Sequence, residues 1–404
     1  MLYKRKIAKE IIKYLDLDEI IVLHGARQVG KTHILYWLKN YLKNNKKDVF
    51  YIDLEDSRNK RTLDLGIDKF IDLLYGEGHV PKKDNKVYVF IDEIQYLKNP
   101  SEFLKLIADH HKDIKLIVSG SSSFEIKSKF KDSLVGRTIN FEIFGLSFEE
   151  FLMFRNYYYD SSSELTEKKI DELKLLYKEY VIFGGYPKIT LTNTVEIKEK
   201  RLQQIIDTYI RKDIRELANV DSIESFNKLL EVLASQSGQL INITELANTC
   251  NLSKPTIEKY LFILEQTYLI KLVRPYHKNI RSEISKTPKV FFYDTGLMQM
   301  LWLKELPKEI IGSVFETSVF SELVKRYKKD DIYHWRTKDK KEIDFILKNK
   351  RNIIPLEVKL NFEKFNARTI NYFNKKYEIK EGGVVGINGR LKNDSYFYPW
   401  EIKF

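Results

Sequence analysis

The stretch Gly25-Ala26-Arg27-Gln28-Val29-Gly30-Lys31-Thr32 carries the first chemical signal of this chain. It spells G-x-x-x-x-G-K-[ST] in full. At that spacing the glycines let a loop fold back so that its backbone N–H groups point at phosphate oxygens. Lys31 is placed to contact the β- and γ-phosphates of ATP and Thr32 to ligate Mg²⁺, with His33 closing the binding stretch. A second signal is Asp92-Glu93, directly after the apolar run Val87 to Ile91. An acid at a strand's end beside such a loop holds the metal, which assigns Asp92. Glu93 is then placed to orient or deprotonate an attacking water. Ser119 ends another apolar run and offers a hydroxyl to sense the γ-phosphate or hold that water; the alternative is a serine-rich turn capping the next helix. Arg137 and Arg211 are candidates for a transition-state arginine.

A third constellation lies near the C-terminus: Glu316 on a helical stretch, Asp344 on a strand, and Glu357-Val358-Lys359 on the next. Side chains alternate along a strand, so Glu357 and Lys359 share a face. Asp344 and Glu357 suit Mg²⁺, which can generate a hydroxide for phosphodiester attack, and Lys359 can position that water. The competing readings are cross-strand salt bridging and a nuclease-type fold that binds DNA without cutting it.

These residues need scaffolds. Ile20 to His24 reads as a buried parallel strand, Lys31 to Leu42 as a helix with Ile34, Leu35, Leu38 and Leu42 on one face, and Val49 to Leu54, Val87 to Ile91 and Ile114 to Val118 as further strands. Strands alternating with helices predict an α/β fold with a parallel sheet. Ser147 and Glu150 form a capping box. Residues 164–215 read as mainly helical, broken at Gly184-Gly185-Tyr186-Pro187. Ile243 to Thr249 and Ser253 to Leu264, joined at Cys250-Asn251-Leu252 and followed by a strand to Val273, have the layout of a winged helix-turn-helix. Lys254, Thr256 and Lys259 fall on the outer side of the second helix, and 274–289 carries Arg274, Lys278, Arg281, Lys286 and Lys289 against Glu283. That basic segment points to DNA as partner through phosphate contacts; the alternative is a winged helix that serves as an ATPase lid or an intramolecular docking piece.

Composition agrees. The chain has 404 residues, a formal net charge of +12, 43% hydrophobic and 13% aromatic residues. It is long enough for several cored domains, and its basic balance favours a polyanion. No apolar run approaches the ~20 residues of a membrane span, and no secretory leader is evident, so a cytoplasmic protein without membrane contact is expected. The single cysteine, Cys250, excludes an intramolecular disulfide and a cysteine-built zinc site.

The chain resembles a prokaryotic family of AAA-type P-loop ATPases that carry a winged helix and a C-terminal restriction-endonuclease-like, PD-(D/E)xK domain of unknown function. The resemblance spans nearly the whole length. It rests on Gly25 to Thr32, Val89 to Gln95, Ser119-Gly120-Ser121, Leu146 to Phe151, Phe183 to Pro187, Tyr209 to Ile214, Tyr293 to Leu297, Trp335-Arg336, and Glu342 through Lys359. The signature proline falls at Pro355 and not beside Asp344. The resemblance implies use of ATP and Mg²⁺ and a nuclease-like fold at the C-terminus. The expected divisions are 1–218, an ATPase domain with a helical lid; 219–275, a winged helix; and 276–404, a nuclease-like domain. Two functions stay open: an ATP-dependent nuclease, or an ATP-driven switch that binds DNA or a protein without cutting. AAA-type sites often borrow an arginine from a neighbour, which points to a homo-oligomer.

Overall fold

The computed structural model describes residues 3–80, 86–120, 134–159, 165–214, 219–220, 222–277, 287–349 and 352–402, with side chains of 211–213 excepted. The chain forms two compact units, Met1–Phe144 with Gln266–Tyr268, and Gly145–Glu265 with Leu269–Phe404.

The first unit is built on a parallel sheet. Its strands are β1 (Ile20–His24), β2 (Asp48–Asp53), β3 (Val87–Asp92), β4 (Ile114–Gly120) and β5 (Thr138–Glu142), in the order β2-β3-β4-β1-β5. Strands β1, β3 and β4 are buried at every position, as their continuous apolar runs require of central strands covered on both faces. Val22, Val89, Ile91, Leu116 and Val118 join Phe70, Phe103 and Leu104 in one core. Helix α1 (Ile7–Ile12) precedes β1. Helix α2 (Lys31–Asn44) follows it and packs on β3 and β4 through its Ile34, Leu35, Leu38 and Leu42 stripe. Helices α3 (Ser57–Asp64), α4 (Ile67–Gly76) and α5 (Pro100–His110) complete the layers. Strand β5 went unread in the sequence because Thr138–Glu142 is only half-buried and alternates polar with apolar residues.

The second unit opens with α6 (Phe148–Phe154), where Ser147 and Glu150 form the expected capping box. Helices α7 (Glu167–Phe183), α8 (Pro187–Thr190) and α9 (Val195–Ile205) follow, the last continuing as a π-helix over Ile206–Ile214. Next come α10 (Ile223–Ser235), α11 (Ile243–Cys250) and α12 (Lys254–Gln266), then β6 (Ile270–Val273) and β7 (Lys289–Phe292) paired antiparallel. Helix α13 (Thr295–Leu303) is buried from Thr295 to Leu301 and packs against α7, α9 and α10. This explains why helices 148–214, read from sequence as a lid on the ATPase sheet, group with the later residues: they share the α13 core. The end of the unit is α14 (Gly312–Leu323), β8 (Ile332–Arg336), β9 (Glu342–Asn349), β10 (Asn352–Asn361), α15 (Arg368–Tyr377), β11 (Gly383–Asn388) and β12 (Tyr396–Phe397). Its sheet runs β12-β11-β10-β9-β8, with β8, β9 and β10 antiparallel and β10, β11 and β12 parallel.

A buried ion network fastens α6, α7 and α14. Glu322 is fully buried; its Oε1 accepts from Phe148 N at 3.0 Å and Tyr180 OH at 2.7 Å, and Arg326 approaches Oε2 at 3.2 Å. Lys325 Nζ donates to Leu146 O at 2.8 Å and to Ser321 Oγ at 3.0 Å. Burial alone would raise the Glu322 carboxyl, but Lys325, Arg326, Tyr180 and Phe148 hold it below its ordinary value. Beside this network Gly184 (φ 79) lies so close to the Asp294 carboxylate that a Cβ would collide with it. Asp294 in turn caps α13 through Leu297 N and accepts from Gly185 N at 2.7 Å.

Candidate functional site

The phosphate loop leaves the C-terminal end of β1 and enters α2. Gly25 has φ 156, and a Cβ there would strike the Ile143 carbonyl; that backbone is also fixed by Ile143 N donating to His24 O at 2.7 Å. Gly30, at φ 98, turns the chain into α2 in a region that costs an L-side chain strain. Lys31 is buried, and its Nζ donates to Gly25 O at 3.0 Å and Ala26 O at 2.8 Å. Those carbonyls hold the ammonium inside the curl of the loop, where phosphate oxygens can replace them. Thr32, half-buried, begins the helix, while Gln28 and His33 are exposed at the rim. Arg27, half-buried, adds positive charge near Glu93. The helix N-terminus adds its own positive potential.

The acid pair stands at the end of β3, beside β4. Asp92 is buried; Tyr51 OH donates to its Oδ2 at 3.0 Å and the Ser119 hydroxyl bonds Oδ1. Glu93 takes φ 56 and ψ 51, a left-handed conformation uncommon for glutamate and typical of residues held for function. Its backbone N donates to Ser119 Oγ at 3.2 Å, and Gln95 Nε2 donates to its carboxylate. Burial raises the Glu93 carboxyl above its ordinary value, against the pull of Lys31 and Gln95. A raised carboxyl near a cation is suited to taking a proton from water. Ser119 is fully buried and ties Asp92 to the Glu93 backbone, so its hydroxyl is engaged by the acid pair.

The structure corrects Arg137. It precedes β5 at the N-terminal edge of the sheet, where Ile20 N donates to Arg137 O at 2.9 Å, and its guanidinium pairs with Asp109 at 2.6 Å. The phosphate loop is at the opposite edge, about 16 Å along β1. Arg137 therefore does not reach its own chain's glycine loop. Arg211 falls on the π-helix, and its side chain lies outside the described residues, as do Ser121, Ser122 and the segment 278–286.

Sequence reasoning missed four supporting residues. Arg5, buried, donates to Val29 O at 2.8 Å and to Phe144 O at 3.0 Å, bracing the loop. His24 Nδ1 lies 2.7 Å from Tyr268 OH, which donates to Glu142 Oε1 at 2.8 Å. Nothing in local periodicity marks Arg5, His24, Glu142 or Tyr268, because their partners are up to 244 positions away in sequence.

In the second unit the expected acids do converge, together with two residues not assigned to the site. Antiparallel pairing of Phe345 with Leu356 puts Asp344 beside Glu357, and Glu316 reaches them from α14. Lys289, on β7, places its Nζ 3.1 Å from Glu316, 2.6 Å from Glu342 and 3.7 Å from Asp344. Lys359 approaches Glu357 at 3.1 Å and Asp344 at 3.5 Å, while Val358 N donates to Asp344 at 2.8 Å. Burial and the Asp344 charge push the Glu316 carboxyl above its ordinary value, although Lys289 opposes this. Burial would lower Lys289, but Glu316, Asp344 and Glu342 together raise it. Lys289 was read as part of the DNA-facing basic segment; its side chain is 3% exposed and is turned into the acid cluster instead.

The neighbouring His334 is buried, with Nδ1 lacking a partner and its pKa pushed down to about 3 by burial and by Lys289. The folded state thus binds a proton there far less readily than the unfolded chain, whose imidazole titrates near 6.5. Stability from this group is complete above about pH 6.5 and is lost as pH falls. Acidification to about pH 5 should cost about 2 kcal/mol, and His334→Gln should remove that slope. Urea midpoints at the two pH values check this.

The glycine loop, the strand-end acids and the parallel sheet give the first unit the layout of a P-loop nucleotide-binding fold, and residues 17–152 match the family described as an AAA domain. Residues 174–308 and 311–400 match two families, each described as a domain of unknown function (DUF8612 and DUF4143). An uncharacterized protein of Haemophilus influenzae is 27% identical over 395 residues, covering 96% of this chain and 94% of that protein. One of Methanocaldococcus jannaschii is 27% identical over 371 residues, covering 90% and 78%. Among solved structures, AMPPCP-bound DnaA from Aquifex aeolicus aligns at 17% identity and TM-score 0.29, covering 64% of this chain and 86% of that one. No helix among the described residues is long and apolar enough to cross a membrane.

Proposed function

We propose that the protein is a Mg²⁺-dependent ATPase that engages DNA as a nucleotide-driven switch without cutting it. The observation that carries the ATPase reading is the meeting of buried Lys31 with the Asp92–Glu93 pair, whose Glu93 carboxyl feels Lys31 directly. Mg²⁺ fits the donor set: a hydroxyl at Thr32 and a carboxylate at Asp92, hydrogen-bonded and oriented by Ser119 and Tyr51. When bound, it supplies charge neutralisation between the phosphates. Lys31 binds the phosphates, Glu93 receives the proton of the attacking water, and Gln95 steadies Glu93. Lys31→Ala should weaken ATP binding about a hundredfold, since a charge-assisted contact is lost. Calorimetric titration with ATP and Mg²⁺ tests it; affinity equal to wild type would sink the assignment.

Three helices followed by β6, α10 to β6, support reading 219–275 as a winged helix-turn-helix whose strand pairs with β7 beyond that boundary, with Lys254, Lys259 and Arg274 exposed. Glu316 on a helix ahead of β8, β9 and β10 supports the nuclease-like reading of 276–404, and the Lys289 contacts favour its non-cleaving form. Because Arg137 points away from the loop, a second copy is the source we propose for a transition-state arginine, giving a homo-oligomer. If about four phosphates are contacted, DNA affinity should fall about a hundredfold between about 50 and 200 mM salt. Fluorescence anisotropy with duplex DNA measures this; flat salt dependence would leave the positive charge a solubility feature.

A further inference from the structure

The carboxylate cluster of the second unit has a built-in cation. Its acids come from separate elements: Glu316 from α14, Glu342 and Asp344 from one face of β9, and Glu357 from β10. Each carboxylate is paired with an ammonium. Lys289 takes Glu316, Glu342 and Asp344, and Lys359 takes Glu357 and Asp344. An ammonium has three donors, and Lys289 has three carboxylates within 3.7 Å. Lys289 enters on a fully buried strand, and its side chain is 3% exposed. Mg²⁺ requires oxygens at about 2.0–2.1 Å in an octahedron. Here the acids surround a nitrogen at hydrogen-bond range. A divalent ion between Glu316 and Asp344 would have to displace Lys289 and leave a buried ammonium unpaired, which is strongly unfavourable. Among the described residues no group of three or more His, Cys, Asp or Glu is arranged to hold a metal ion.

We propose that Lys289 is the resident cation of the Glu316–Glu342–Asp344 cluster and keeps divalent metal ions out of it. The lysine locks β7, the second strand of the hairpin, to the C-terminal sheet. The acids then serve as an anchor for that hairpin and not as a hydrolytic centre. This deepens the non-cleaving reading above but does not depend on ATP hydrolysis, so its test is metal binding and not cleavage.

The experiment is a Mn²⁺ titration of the nucleotide-free full-length chain, followed by electron paramagnetic resonance of free Mn²⁺. Wild type should show no site that Asp344→Asn removes. Lys289→Met, of similar length and uncharged, should bind one Mn²⁺ about tenfold or more tighter than wild type, and the gain should vanish in Lys289→Met/Asp344→Asn. Thermal unfolding should show the Lys289→Met transition lowered and then restored by Mn²⁺. The proposal is overturned if wild type takes up one Mn²⁺ that Asp344→Asn abolishes. That arm needs no lysine variant, so it decides the matter even if Lys289→Met fails to fold. A folded Lys289→Met chain with no gain over wild type would equally overturn it.

Discussion

Glu93→Gln should bind ATP within a few-fold of wild type and lower kcat by about 10²–10⁴, the range for loss of a general base. The geometry explains why binding survives. In the proposed mechanism Lys31, held in the loop by the Gly25 and Ala26 carbonyls, and the loop amides bind the phosphates, and Glu93 makes no phosphate contact. Glutamine keeps the size of the side chain, and its carbonyl still accepts from Gln95 Nε2, so the left-handed backbone at this position stays supported. What is lost is a carboxylate that burial has made more basic, near the Lys31 ammonium. Phosphate-release kinetics together with equilibrium ATP binding separate the two effects. Normal turnover in a variant that binds ATP normally would assign the water to another residue.

Glu322→Ala should cost about 3–5 kcal/mol of stability in the second unit, the scale for stripping one partner from a buried ion network. Total stabilities of only about 5–15 kcal/mol make that a large fraction. The loss has three sources. Lys325 and Arg326 are left with uncompensated charge, Tyr180 OH loses an acceptor at 2.7 Å, and Phe148 N, the first amide of α6, loses its partner at 3.0 Å. Glu322→Gln should cost less, because its carbonyl still accepts from Tyr180 and Phe148. Urea unfolding followed by tryptophan fluorescence reads both, with Trp400 reporting locally, since its ring lies 5.8 Å from Phe148. Equal losses in the two variants would show that charge, not hydrogen-bond geometry, sets the energy.

Much of the first unit was legible in the sequence. Strands β1, β3 and β4 are continuous apolar runs ending in a glycine loop, an acid pair and Ser119, and α2 shows its stripe at 3.6-residue spacing. Those signals are local, so the phosphate loop and the Asp92–Glu93 pair follow from reading alone. Strand β7 and helix α13 were harder. They share one long apolar run, 290–303, and only Asp294 capping α13 shows where strand gives way to helix. Arg137 was misjudged because an arginine after a glycine turn looks alike at either edge of a sheet; only register with Ile20 puts it at the far one.

The sequence by itself determined the local form of the first unit's glycine loop, because such a loop is made by one short stretch whose glycines and lysine act together. It also determined which acids of the C-terminal part would meet, since strand alternation and a hairpin place Asp344 near Glu357. Tertiary structure alone decided what those acids hold. Lys289 lies 27 positions from Glu316 and on a different element, and only packing turns its ammonium inward, where burial makes three carboxylate partners necessary. The same holds for Glu322, 174 positions from the amide it caps: charge satisfaction inside a core is a property of the fold, and no local pattern encodes it.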